Sequence, residues 1–222
     1  MKKALIISYY FPPYNGVPGW RPYSWFSHFH KSNIYPTVIT RHWDGNENTW
    51  ADSIKESDTP LITNETEHGT VLSLPYQHSR LRKFSGTALF KIPGLSKIYY
   101  LFLMLFGRLS VEIDAYYSIK KFLVTYLKDH TFDIVIVSAP PQNLVRLGYF
   151  IKKKYNIPFV VDYRDIWDND ELKDNYKPTF NRKIRTIITK IYMRKWLKEA
   201  EFVITVSSSL AKRIRSITKK EV

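Results

Sequence analysis

An α/β fold, a parallel sheet flanked by helices, is predicted by three features of the sequence. The first is a set of short, unbroken apolar runs at residues 4–8, 133–138, 158–162 and 201–206. Such runs suit strands buried on both faces, which show no polar alternation. The second is the helical text at residues 142–155 and 181–200 that separates the last three runs. Strand, helix, strand alternation implies parallel pairing. The third is the polar or glycine-rich segment after each run, as expected at a sheet edge that gathers ligands at the carboxyl ends of its strands.

Taken in chain order, residues 4–8 form the first strand, since Ala4 to Ile7 is too short for a secretory leader. Phe11-Pro-Pro-Tyr-Asn-Gly-Val-Pro-Gly19 must be a loop, because proline removes donors and glycine admits positive φ. Trp25, Phe26 and Phe29 mark a first helix over 20–31, and residues 36–40 a second strand. Residues 41–70 are polar and aperiodic, so a long excursion is expected before a strand at 71–74. Residues 77–95 are basic and interrupted by Gly86, Pro93 and Gly94. Helices are expected over 98–106 and 110–129, the second carrying Ile113, Tyr116, Leu123 and Leu127 near a 3.6 period. The 222 residues are expected to form one domain, 1–222, with a variable excursion at about 42–110.

Hydrophobic content of 44% and charged content of 24% lie in the range of soluble globular chains, and the 16% aromatic share leans towards contact surfaces. Cysteine is absent. That removes disulfides, thiolate metal sites and Cys nucleophiles, and it fits a reducing, cytoplasmic compartment. The longest apolar stretch, residues 98–106, is about half of the roughly 20 residues that a spanning helix needs. A formal net charge of +14 implies attraction to polyanions: nucleic acid, an anionic membrane leaflet or phosphorylated substrates. Arg80, Arg82 and Lys83, followed by Lys97, Tyr99 and Phe102, interleave cations with aromatics. Such a segment suits the inner face of an anionic membrane or a nucleic-acid backbone, and equally the solvated face of an ordinary core helix.

Four loops hold the candidate chemistry. Asp162-Tyr-Arg-Asp-Ile-Trp167 sets two carboxylates, a guanidinium and two aromatics within six residues, able to bind hydroxyls and stack on a sugar ring. Its plainer reading is an Arg–Asp pair that holds the loop together. Asn15-Gly-Val-Pro-Gly19 can bring backbone N–H groups to a phosphate at a helix start. It matches neither GxGxxG nor a P-loop, and a tight turn explains it as well. Ser138-Ala-Pro-Pro-Gln-Asn143 places prolines at a helix start and leaves Gln142 near a strand end. Ser207-Ser-Ser209 is an N-cap candidate. The six histidines show no metal-ligand spacing and no GxSxG elbow is present, so neither a metal nor a hydrolase triad is expected.

Together these segments resemble the N-terminal domain of family 4 glycosyltransferases, whose GT-B fold sets two Rossmann-like domains face to face. The likeness is carried by Tyr9-Tyr-Phe-Pro-Pro13, the Asn15-Gly16 loop opening a helix with Arg21, Ser138-Ala-Pro-Pro141, Ile157-Pro-Phe-Val-Val-Asp-Tyr-Arg-Asp-Ile-Trp167 and Ala200-Glu-Phe-Val-Ile-Thr-Val-Ser207. It spans nearly the whole chain, with residues 41–128 contributing least.

The resemblance implies a retaining transfer, of hexosyltransferase type, from a nucleotide-sugar co-substrate to a glycan or lipid-linked acceptor, with no further cofactor and no divalent metal. It implies that Gly16 and its neighbours face the donor diphosphate, and that Arg164 and Asp165 contact the acceptor or the cleft. Gln142 stands near where related members often carry a histidine, and Gln can hydrogen-bond but cannot exchange a proton near neutral pH. In the family a second domain bearing an E-x7-E motif holds the nucleotide, and no such domain follows within these 222 residues. The expectation is therefore an acceptor-side half that is inactive alone, with a separate donor-binding half and an anionic membrane surface as partners, and nucleic acid not expected. The alternative is a non-catalytic module that scaffolds a partner enzyme or binds a polyanion.

Overall fold

The structure is a computed structural model and describes residues 1–47, 49, 51–78, 80, 83, 92, 94–105, 113–164 and 180–218. Its elements run β1 (Lys2–Ser8), α1 (Val17–His28), β2 (Ile34–Arg41), β3 (Ile62–Thr66), β4 (Gly69–Leu74), α2 (Leu95–Leu105), α3 (Ile113–Asp129), β5 (Ile134–Ala139), α4 (Val145–Tyr155), β6 (Phe159–Tyr163), α5 (Phe180–Leu197), β7 (Phe202–Ile204) and α6 (Ser208–Thr218). Short 3₁₀ turns cover Phe29–Ser32, Asp52–Ile54 and Gln142–Leu144.

The strands form one sheet of order β3-β4-β2-β1-β5-β6-β7. All neighbours pair in parallel except β3, which runs antiparallel to β4. This is a Rossmann-like α/β sheet. The chain builds outward from β1 through β2 to β4, then returns to the other side of β1 for β5, β6 and β7. The reversal lies between β1 and β5, which is where open α/β sheets part their loops and leave a crevice at the carboxyl edge.

Burial explains why β1 reads as an unbroken apolar run. It lies at the centre of the sheet, and Ala4, Leu5, Ile6 and Ile7 all have 0% exposure. Ile6 stands opposite Val38 on one side and Ile136 on the other. On one face Leu5, Ile7, Val137, Phe159 and Val161 pack with Leu123 of α3, Leu147 of α4, Trp196 of α5 and Ile214 of α6. On the other face Ile6, Val38 and Val71 pack against Phe11 of the loop after β1 and Phe26 of α1. Helix α4 sits directly on β6, since a Cβ at Gly148 would meet the Phe159 ring, with Cε2 only 2.8 Å away.

The excursion expected at 41–70 contains a strand that periodicity could not reveal. All five residues of β3 are exposed, so it has no core-facing pattern and is held to β4 through its backbone. Gly69, where the chain enters β4, has no room for a side chain, since a Cβ there would collide with the Pro36 carbonyl. Ser207 caps α6 as expected, its hydroxyl accepting from the Leu210 N–H at 3.2 Å. The first helix starts earlier than the apolar pattern implied, at Val17 with Pro18 in its first turn.

Candidate functional site

The crevice floor is built from the ends of β1, β5 and β6. Ser8, Ser138 and Asp162 are in register across these strands, and each is fully buried. Arg21 of α1 donates to Asp162 Oδ1 at 2.6 Å, and the Arg164 guanidinium lies 3.2 Å from Oδ2. The Ser138 hydroxyl donates to Asp162 Oδ2 at 3.4 Å and accepts from Arg164 Nη2 at 2.9 Å. Burial pushes the Asp162 carboxyl above its ordinary value, while Arg164, Arg21 and Ser138 pull against that rise.

Arg164 also repairs a defect in α1. Pro22 lies inside this helix and has no N–H to give the carbonyl of Pro18, one turn back. Arg164 Nη1 donates to that carbonyl at 3.0 Å instead. One side chain thus fastens the first turn of α1 to the ends of β5 and β6, and with it the loop that precedes the helix.

A second cluster walls the crevice on the β2 side. Tyr10, Tyr14 and Trp43 pack together, Tyr10 stacked on Trp43 with centroids 5.6 Å apart and Tyr14 tilted against both, at 4.8 Å from Tyr10 and 4.5 Å from Trp43. Trp43 is buried and donates through Nε1 to the Tyr9 carbonyl at 2.8 Å, whereas Tyr10 and Tyr14 stay partly exposed. Behind them, the buried Arg41 has its guanidinium carbon 4.2 Å from the Trp43 centroid and 4.3 Å from that of Tyr76. It donates to the carbonyls of Ser53 at 2.6 Å and Lys55 at 3.1 Å, and to the Tyr9 hydroxyl at 3.2 Å. Burial, and then the charge of Glu47, push the Tyr14 hydroxyl above its ordinary value, so it is a protonated donor at neutral pH. Half-buried phenol faces with hydroxyl donors are suited to a sugar ring.

The residues singled out from the sequence fare unequally. Asn15 is exposed and Gly16 is the N-cap of α1, where a Cβ would collide with the Tyr14 ring. The turn offers fewer amides to a phosphate than its glycines suggest, because Pro18 has none and the Gly19 N–H is taken by the Gly16 carbonyl at 3.0 Å. Gln142 is half-buried in the 3₁₀ turn after β5, beside the β1 loop and therefore at the reversal point. Arg21 and Arg164 reach the crevice floor but turn their guanidiniums onto Asp162. The plainer reading of the Asp162–Trp167 segment thus holds for Asp162, whose carboxylate is fully buried. Asp165 and Arg82 lie outside the described residues, Arg80 is exposed, and Lys83 pairs with Glu56 at 3.1 Å. The aromatic wall was missed. Its signal was available in Tyr9-Tyr10 and Arg41-His42-Trp43, which end neighbouring parallel strands. Among the described residues, no three His, Asp or Glu side chains converge as metal ligands.

Sheet order and the strand reversal define the class: a Rossmann-like α/β domain. Among solved structures, the sucrose-phosphate synthase of Thermosynechococcus elongatus matches 100% of this chain with 46% of its own, at a TM-score of 0.55 and 13% identity. A trehalose-6-phosphate synthase from E. coli, bound with UDP-2-fluoro glucose, matches 91% of this chain with 39% of its own, at a TM-score of 0.46 and 12% identity. A UGT transferase from Siraitia grosvenorii, in complex with UDP, matches 96% of this chain with 46% of its own, at a TM-score of 0.45 and 7% identity. The chain therefore spans less than half the length of each of these structures. No family model matches the chain, and no curated protein matches it by sequence.

Proposed function

We propose that this chain is the acceptor-side domain of a retaining glycosyltransferase, which moves a sugar from a nucleotide-sugar to a glycan or lipid-linked acceptor in polysaccharide biosynthesis. The observation that carries the reading is the aromatic wall of Tyr10, Tyr14 and Trp43 beside the strand-order reversal of a GT-B-like half. In this reading Tyr10 and Tyr14 stack on the acceptor sugar, and Asn15, Gly16 and Gln142 line the side nearest the donor diphosphate. Arg21 and Arg164 act as positioning residues that hold the glycine loop, while Asp165 contacts the acceptor. A second domain facing the crevice holds the nucleotide, and the domain works at the cytoplasmic face of a membrane.

Gln142 favours a second reading, a non-catalytic module that binds a glycan or scaffolds a partner enzyme, because an amide side chain does not shuttle protons. Calorimetry with oligosaccharides and with nucleotide sugars tests both readings. Glycan binding that Tyr10→Ala and Tyr14→Ala each weaken about tenfold, with little affinity for nucleotide sugars, is the expected result. Tight nucleotide-sugar binding with turnover by this chain alone would overturn the half-enzyme assignment. Glycan binding together with no turnover in the presence of any donor-binding partner would favour the non-catalytic module.

A further inference from the structure

Charge is unevenly placed away from the crevice. Helices α2, α4, α5 and α6 contain no Asp or Glu. Helix α5 alone carries six Lys or Arg, whereas seven acids lie between residues 44 and 67 near the opposite edge of the sheet. Part of the basic surface is neutralised locally, since Lys152 and Lys153 pair with Glu201 and Glu199 at 3.2 and 2.9 Å. Among the described residues no carboxylate does this for Lys97, Lys183 or Lys195.

Helix α5 presents two apolar faces, and the core uses only one. Met193, Trp196 and Leu197 are buried in the core. On the outer side Lys183, Ile187, Ile191 and Lys195 succeed one another at intervals of four residues, one per turn, and all are exposed. Ile187 is 58% and Ile191 59% exposed. Helix α2 lies against α5 and adds Ile98, Leu101 and Phe102, at 67%, 49% and 42% exposure, beside the exposed Lys97. Helix propensity does not require large aliphatic side chains in water, and their grouping on two adjacent helices marks a contact surface.

We propose that the α2–α5 face docks on an anionic lipid surface. Its aliphatic stripes reach the acyl boundary, while Lys97, Lys183 and Lys195 meet headgroup phosphates. A rim whose charges, among the described residues, are all cationic around aliphatic groups complements negative headgroups over hydrocarbon. It complements nucleic acid poorly, because isoleucine and leucine give bases nothing to stack on. No described helix is long and apolar enough to cross a membrane, so the contact is interfacial. Lys83 is not counted in it, since its ammonium is paired with Glu56 at 3.1 Å. The inference does not depend on the glycosyltransferase reading.

Flotation of the full chain with vesicles of phosphatidylcholine alone, or of equal parts phosphatidylcholine and phosphatidylglycerol, tests it. Native protein is expected to float with the anionic vesicles and far less with the zwitterionic ones. Ile187→Glu with Ile191→Glu, and separately Ile98→Glu with Leu101→Glu, are expected to cut the partition about tenfold or more with melting unchanged. Arg80→Gln with Lys83→Gln is expected to leave it near the native value. Should an isoleucine pair melt early, Lys183→Gln with Lys195→Gln replaces it and is expected to cut partition to anionic vesicles several-fold. Absence of native flotation, or native-like flotation of the well-folded variants, overturns the proposal. So does a loss in the same variants of oligonucleotide binding or of self-association in place of flotation, which would assign the face to nucleic acid or to a second copy.

Discussion

On the β2 side of the crevice Arg41 is buried with no carboxylate paired to it among the described residues, whereas on the β6 side Arg21 and Arg164 converge on the buried carboxylate of Asp162. Arg41 is stabilised by carbonyl oxygens and the faces of Trp43 and Tyr76. Its charge is spread over dipoles and π-faces, each a modest contribution. The Asp162 site concentrates opposite charge, and there burial outweighs the attraction, because the carboxyl is raised in spite of two guanidiniums. Arg41 is thus held by many weak partners, each individually dispensable, while the other site depends on one carboxylate.

The largest expected effect breaks that dependence. Asp162→Ala leaves two guanidiniums facing each other with nothing between them, and removing one partner of a buried ion cluster is expected to lower stability by about 3 kcal/mol. Urea unfolding checks this, and a loss below that of Arg41→Met would reverse the comparison. Arg41→Met keeps apolar contact with Trp43 and Tyr76 but deserts the carbonyls of Ser53 and Lys55. The expected loss is about 2 kcal/mol, with glycan binding weakened as well because Tyr9 and its neighbours lose their brace.

Asp162→Asn sharpens the comparison through pH. A carboxyl whose folded-state pKa is raised favours the folded chain fully below its unfolded pKa, and that contribution is lost as pH rises through the folded value. The native stability profile is therefore expected to fall across the window just above the ordinary carboxylate range, and the Asn variant to lack that fall. Parallel profiles measured by urea midpoint would mean that burial and the guanidiniums cancel, and a native profile that falls instead towards acid pH would mean that Arg164 and Arg21 win over burial.

The sheet was legible because burial on both faces writes strands as apolar runs, and Ala4 to Ile7 is the plainest case. β3 was not legible, since five exposed residues leave no pattern and only backbone pairing makes the strand. The site was half legible. Arg164 was picked out by residue type and Arg21 by the resemblance, but sequence does not reveal that Pro22 strips a donor from α1 and that Arg164 supplies it to Pro18. Tyr10, Tyr14 and Trp43 come together only through the pairing of β1 with β2, which brings two strand ends side by side.

The smallest expected effect lies outside the crevice, where an acid and a base meet in water. The His78 N–H, donating at 2.7 Å, does most to hold the Glu56 carboxyl below its ordinary range, and Lys83 at 3.1 Å adds to it. A lowered folded-state pKa favours folding above the unfolded value, and that contribution is lost as pH falls through the folded one. Glu56 is 38% exposed, so screening discounts the pair, and Glu56→Gln is expected to cost no more than about 0.5 kcal/mol. If the backbone bond dominates, Lys83→Gln costs less than Glu56→Gln, and added salt weakens the Lys83 effect first. Equal losses, both abolished by salt, would instead make this a plain surface ion pair, and the contrast with the buried Asp162 site would then be set by solvent exposure alone.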